Sequence, residues 1–320
     1  MNIQRLHDLT AALKENIGKA IMGKEEQIEK ILLCLYAGGH ILLEDIPGTG
    51  KTTLAKALAC SLDCTFKRIQ FTPDLLPSEL TGINYYNQKE QAFQFRPGAI
   101  FTHILLADEI NRATPRTQSS LLECMEERQC TVDGVTYPMS QPFLVIATQN
   151  PVEIQGTFPL PEAQLDRFFM KLSLGYPGPE EEQSMLTAYR ETAPLTALSP
   201  VCSRQDILKA QKLTAQVRVS RPVSGYLVAL AGATRRHEKI RLGLSPRGSL
   251  ALMRASQAKA AIQGRDFVLP DDVKAVFLDV AAHRIICRGY QMGQGDAAVR
   301  EILSQILDRT PAPVEPQEQA

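Results

Sequence analysis

The sequence predicts an α/β protein: a mostly parallel sheet, two β-hairpin insertions and an all-α part that follows. Three observations predict it. From residue 40 to about 175, short apolar runs alternate with helical periods, the pattern of strands joined by crossover helices. A glycine turn, Pro47-Gly48-Thr49-Gly50, separates the apolar run Ile41-Leu42-Leu43 from a helix opened by Lys51-Thr52-Thr53. After Tyr176-Pro177-Gly178-Pro179 the spacing is helical throughout. The expected division is an N-terminal amphipathic helix over 1–22, an α/β domain over 23–176, a helical domain over 177–309 and a disordered Pro-rich tail over 310–320.

Leu6, Leu9, Leu13, Ile17 and Ile21 recur at helical spacing, so the chain opens with an amphipathic helix over 3–21. A second helix runs from Glu25 to Tyr36 and ends at Gly38-Gly39. Strands are expected at 40–44, 66–71, 100–107, 142–148 and 168–174, with helices at 51–61, 115–128 and 160–166. Two hairpins interrupt this alternation. One joins Ile83-Asn84-Tyr85-Tyr86 to Ala92-Phe93-Gln94-Phe95 through a polar turn. The other sets Asp133-Gly134 between 129–132 and 135–137, and Asp-Gly between alternating strands is a strong hairpin signal. Beyond Pro179, helices are expected at 179–191, 204–216, 221–237, 246–263 and 270–288, punctuated by Ser199-Pro200, Pro246 and Pro270.

A chain of 320 residues suits two domains better than one core. Its 35 basic and 35 acidic side chains balance, and it has no Trp. That argues against a nucleic-acid or anionic-membrane surface and leaves little for base stacking. Seven scattered cysteines lack metal-ligand spacing and read as buried hydrophobes or free thiols in a reducing compartment. The polar N-terminus is no signal peptide and no apolar run reaches membrane-spanning length, so a cytoplasmic protein without membrane insertion is expected.

The glycine turn carries the chemistry. Strand, turn and helix N-terminus aim free N–H groups and the positive end of the helix dipole at one spot, which makes an anion site. Pro47, Gly48, Thr49, Gly50, Lys51, Thr52 and Thr53 are therefore expected around a nucleoside triphosphate. Lys51 reaches β- and γ-phosphate oxygens, and Thr52 offers its hydroxyl to Mg²⁺. The strict phosphate-loop pattern has glycine at position 45, where this chain has Asp45. Without a ligand, the same segment reads as a plain strand–turn–helix connector.

Residues 103–109, His-Ile-Leu-Leu-Ala-Asp-Glu, end a central strand in two acids. Asp108 suits the Mg²⁺ shell, and Glu109 suits orienting and deprotonating the attacking water. Strands also end in solvated acids without function; the phosphate loop upstream favours the functional reading.

Five ordered motifs then resemble one family. They are Leu106-Ala107-Asp108-Glu109-Ile110-Asn111-Arg112-Ala113, the run from Thr117 to Glu127, Ala147-Thr148-Gln149-Asn150-Pro151, the run from Leu160 to Phe168, and Gly243-Leu244-Ser245-Pro246-Arg247. Together they resemble the MoxR family of AAA+ ATPases, of the subgroup with an insert in helix 2, over about residues 15 to 290. Members with Asp at position 45 are familiar there. The resemblance implies an AAA+ P-loop NTPase core followed by an all-α lid, with ATP and Mg²⁺ as cofactors.

It also implies roles. Asn150 matches sensor 1, whose amide holds the lytic water or the γ-phosphate; by itself, Asn before Pro is a turn residue. Arg167 matches the arginine finger, offered to the neighbouring subunit's γ-phosphate; by itself it reads as a surface ion pair with Asp166 or Glu162. Arg247 matches sensor 2, which couples lid closure to the γ-phosphate. Met22-Gly23 resembles the segment against adenine, which brings in Gly23. The two hairpins resemble pore-directed elements that act on a client; the alternative is that they cap the sheet edge.

The implied function is a ring, expected to be a hexamer, that remodels proteins. It assists assembly, maturation or metal insertion of client complexes with a von Willebrand factor A domain partner. The alternatives are a nucleic-acid motor, for which Arg235-Arg236-His237-Lys239-Arg241 is the candidate patch, and a nucleotide-gated switch with negligible turnover.

Overall fold

A computed structural model of the chain describes residues 1–150, 156–191, 194–289 and 295–313. Its elements run α1 (Ile3–Gly18), α2 (Glu25–Tyr36), β1 (Ile41–Glu44), α3 (Lys51–Ser61), β2 (Phe66–Gln70), α4 (Pro77–Thr81), β3 (Gly82–Asn87), β4 (Ala92–Pro97) and β5 (Ile104–Asp108). Then come α5 (Pro115–Glu127), β6 (Gln129–Val132), β7 (Val135–Pro138), β8 (Leu144–Gln149), α6 (Glu162–Leu165), β9 (Met170–Leu172) and α7 (Pro179–Glu191). The chain continues through α8 (Arg204–Thr214), α9 (Arg221–Arg236), β10 (Ile240–Leu242), α10 (Pro246–Ile262), α11 (Pro270–Ala281), β11 (Ile286–Cys287) and α12 (Asp296–Arg309).

Five strands form one parallel sheet in the order β2-β5-β8-β1-β9. Successive side chains of a strand point to opposite faces, so the apolar runs feed two cores. Ile41, Leu43, Ile104, Leu106, Leu144 and Ile146 enter one; Leu42, Leu105, Ala107, Val145 and Ala147 enter the other. The first core is continuous from α1 to the C-terminal helices, joining Leu6, Leu13 and Ile17 to Leu230, Leu252 and Phe277. Asn16 of α1 donates to Ser61 Oγ at 2.9 Å and to the Ser199 carbonyl at 3.0 Å. The second core lies under α5 and the hairpins.

The hairpins pack on each other. Asn84 donates to Asp133 at 2.8 Å, and Phe95 stacks on Tyr137 with centroids 4.0 Å apart. Tyr86 and Phe93 stay exposed as an edge-to-face pair.

The region after Pro179 is not purely helical. β10 and β11 pair antiparallel, and the helix expected over 270–288 stops at Ala281. Arg284 explains the stop. Its buried guanidinium takes the Val280 carbonyl, the acceptor that its own N–H would need in a continuing helix. α12 falls where no helix was expected, although Val299, Ile302, Leu303 and Ile306 carry the spacing. Lys171 of β9 ties α12 to the sheet, with Nζ 2.6 Å from both Glu44 and Asp296. Of the Pro-rich tail, residues 314–320 lie outside the described residues, as does Pro151.

Candidate active site

Parallel strands end along one edge of their sheet, and the expected phosphate residues gather there. Pro47, Gly48, Gly50, Lys51, Thr52, Thr53, Asp108, Glu109 and Asn150 line one cavity of about 390 Å³, together with Arg68 and Gln70. Gly48 and Gly50 both have φ of 87°, a left-handed conformation in which a Cβ is strained. The N-cap of α3, Gly50, supplies no side-chain acceptor, so the first-turn N–H groups stay open to an anion. Lys51 Nζ rests on the Asp45 and Ile46 carbonyls at 3.0 Å, neutral acceptors that a phosphate outcompetes. These features fit a bound polyphosphate. Thr49 does not line the cavity; its hydroxyl turns back to the Ile46 carbonyl at 3.4 Å.

Asp45 has a structural task. Its carboxylate accepts from Ser173 Oγ at 2.8 Å, Leu174 N at 2.7 Å and Gly175 N at 3.0 Å. It thereby pins the start of the phosphate loop to the segment after β9.

The two acids are held by neighbours to which the sequence reading gave no role; Arg68 and Gln70 lie outside its motifs, Thr148 and Arg112 inside them. Asp108 Oδ2 accepts from Arg68, and Oδ1 accepts from the Thr148 hydroxyl at 2.6 Å. Thr148 Oγ1 also accepts from Glu109 N at 2.8 Å, so one hydroxyl fixes both acids. Glu109 has φ of 55°, which turns its side chain off the strand. Its Oε2 accepts from Gln70 at 2.6 Å and from Arg112 at 2.9 Å.

Arg167 and Arg247 lie elsewhere. They line a second cavity, of about 380 Å³, with Gly39 and His40 before β1, Phe169 before β9, and Glu126 and Arg128 at the end of α5. That is the opposite edge of the sheet, where the strands begin. Arg167 Nε is 3.0 Å from Glu126 Oε2, and Arg247 bonds the other oxygen of the same carboxylate. The expected partners of Arg167 are taken: Asp166 bonds Arg284 and Ser245, and Glu162 bonds Arg241. Ser245 caps α10 by accepting from Gly248 N, which fixes where Arg247 enters the helix. Gly23, with φ of 69°, lines neither cavity; Glu181 lies where its side chain would be. In the basic cluster, Arg235 donates to the Leu244 carbonyl and Arg241 to Glu162, so both serve internal contacts.

Residues 40–170 match the model of the ATPase family associated with various cellular activities, and residues 232–306 match its lid domain. The chain is 47% identical over 304 residues to the uncharacterized protein YeaC of Bacillus subtilis, covering 94% of this chain and 95% of that one. It is 41% identical to the chaperone MoxR1 of Mycobacterium tuberculosis, covering 88% of this chain and 76% of that one. The chain belongs to the MoxR family of AAA+ ATPases. The protein MoxR of Methylorubrum extorquens is 30% identical, with 96% of each chain covered. A crystal structure of a candidate ATPase from Cytophaga hutchinsonii superposes with a TM-score of 0.89 at 37% identity, over 98% of this chain and 97% of that one. This MoxR-family chain is thus an ATPase with an α/β nucleotide-binding core and an AAA lid. No helix among its described residues is long and apolar enough to cross a membrane.

Proposed function

We propose that this MoxR-type ATPase works as a head-to-tail ring that spends ATP hydrolysis on remodelling a client protein. The observation that carries this is the separation of its two cation sets. Lys51 sits at the strand ends and Arg167 with Arg247 at the strand starts, and a strand of four residues spans about 13 Å. A heterologous ring apposes one edge of a subunit to the other edge of the next. Arg167 then serves the neighbour's triphosphate, not its own.

In that ring Lys51 and the first-turn N–H groups of α3 bind the β- and γ-phosphates. Thr52 and Asp108 would hold Mg²⁺, which would supply charge neutralisation of the phosphates. Glu109 leaves Gln70 and Arg112 to accept the proton of the attacking water. Asn150 orients that water. Arg167 and Arg247 of the next subunit stabilise the charge that develops on the transferred group.

The AAA+ core at 23–176 and the lid at 177–309 are the proposed moving parts, and the proposed setting is a cytoplasmic hexamer. The chaperone name of the Mycobacterium relative supports a remodelling role. The exposed Tyr86–Phe93 pair on the first hairpin suits contact with a client. The proposed partner is a von Willebrand factor A domain protein that presents a client complex for assembly or metal insertion.

The test is capture from the source cell with tagged Glu109→Gln loaded with ATP. That change removes the base and leaves the nucleotide bound, so the assembled state accumulates. A von Willebrand factor A protein recovered with Glu109→Gln but not with Lys51→Ala is the expected result. Recovery of replication proteins or nucleic acid instead contradicts it.

A further inference from the structure

The cavity around Arg167 contains a cation that the two family motifs leave unused. Five arginines line it, Arg128, Arg167, Arg247, Arg254 and Arg284, against two carboxylates, Glu126 and Asp166. Four of the five are engaged. Arg284 is buried and donates to Asp166 Oδ1 and the Phe168 carbonyl, each at 2.6 Å. Arg128 donates to the Phe143 carbonyl at 2.7 Å and to the Gly38 carbonyl. Arg167 and Arg247 share Glu126. Arg254 is exposed and has no hydrogen bond or ion pair to any described residue.

Its place is set by helix geometry. Arg254 follows Arg247 by seven residues on α10, which returns it to the same face about 10 Å further along the axis. Leu250 and Ala251, between them, line the same cavity. The result is a concave surface with three more positive than negative side chains, in which the exposed Arg254 guanidinium has no partner among the described residues. A planar guanidinium matches phosphate oxygens through two parallel N–H donors, which a solvent-facing position without an ion pair to a described residue keeps available.

We propose that Arg254 is a third phosphate-binding residue of this cavity, contacting the triphosphate held by the neighbouring subunit. The assignment rests on the ring arrangement proposed above. Arg254 acts from the side of Arg167, so a defect there appears only at the neighbour's site.

The experiment pairs single variants with mixed assemblies of the full chain. Arg254→Ala should lower ATP turnover about tenfold or more, the scale of a lost charge-assisted hydrogen bond, while the isolated subunit still binds ATP normally. Arg254→Lys should recover only part of the rate, because charge returns without the fork. Lys51→Ala is inactive in its own cavity. Mixed with an equal amount of Arg254→Ala, it supplies an intact Arg254 to neighbours with an intact Lys51, and roughly a quarter of the interfaces regain activity. Arg167→Ala mixed with Lys51→Ala is the reference. Gain with both mixtures supports the assignment. Gain with Arg167→Ala alone, or full turnover by Arg254→Ala, overturns the role of Arg254 and leaves the ring standing. Gain with neither overturns the ring and Arg254 with it.

Discussion

Arg68 lies on Asp108, with Nη2 2.6 Å and Nε 3.1 Å from Oδ2. The cation is about half exposed, so its hold on the acid is screened and worth about 0.5–1 kcal/mol. Asp108 is the proposed Mg²⁺ ligand, and a guanidinium on the same carboxylate would oppose the metal. Arg68→Ala should lower the Mg²⁺ concentration for half-maximal ATPase activity about two- to fivefold. An unchanged or weakened Mg²⁺ dependence would show that Arg68 does not compete with the metal.

Restoring the strict phosphate-loop glycine should harm this protein. Asp45→Gly strands the N–H groups of Leu174 and Gly175 and the Ser173 hydroxyl, all now on one carboxylate. Two unpaired backbone donors in a part-buried site cost on the order of 2–4 kcal/mol. A melting curve should show a clear loss of stability, smaller for Asp45→Asn, which keeps one acceptor oxygen. A gain in stability or in ATP affinity for Asp45→Gly would refute this account.

Arg167→Ala should separate binding from turnover. Among the described residues the side chain pairs only with Glu126, at a partly exposed position, so stability should change by less than about 1 kcal/mol. ATP affinity of the subunit should be kept and turnover should fall about 10³-fold, as expected of an arginine finger. Equilibrium binding and steady-state hydrolysis of the same preparation check both halves.

Acid should loosen the fold from about pH 6.5 downward, through two buried histidines. His40 is fully buried; its Nδ1 accepts from Val145 N at 3.0 Å and its Nε2 donates to the Met125 carbonyl at 3.0 Å, a neutral ring. Burial first, and the Arg128 charge second, push its pKa from the ordinary 6.5 down to about 3. His283 is lowered too, again by burial and then by Arg284. The unfolded chain therefore binds more protons below pH 6.5. The stability these rings contribute is complete above that value and falls as the pH drops toward 3. The melting temperature should decline between about pH 6.5 and 5, and less steeply in His40→Gln. A flat profile over that window would contradict the neutral buried ring.

The local pattern of the sequence carried the sheet, both hairpins and most of the phosphate cavity, because these rest on neighbours in the chain. Lys51, Thr52, Asp108 and Glu109 each belong to a short contiguous motif and meet in one cavity. Arg68 and Gln70 escaped notice, and Thr148 was quoted in a motif without a role, because strand order alone brings them to the acids. The β2–β5 register sets Gln70 opposite Asp108, and β8 lies against β5 on its other side. Arg167 and Arg247 were found by resemblance; their common partner Glu126 lies in the quoted 117–127 motif but was given no role, since its pairing depends on a third segment. Arg284 ended a helix from within, through a side chain whose target carbonyls belong mostly to the β9 approach.

The most direct test of hydrolysis at a site completed by the next subunit is ATP turnover per subunit measured across protein concentration, with Glu109→Gln as control. The wild-type rate per subunit should rise with concentration to a plateau, while Glu109→Gln binds ATP and stays near background throughout. A rate that is flat down to dilutions where the protein is monomeric, or wild-type turnover by Glu109→Gln, would contradict the account.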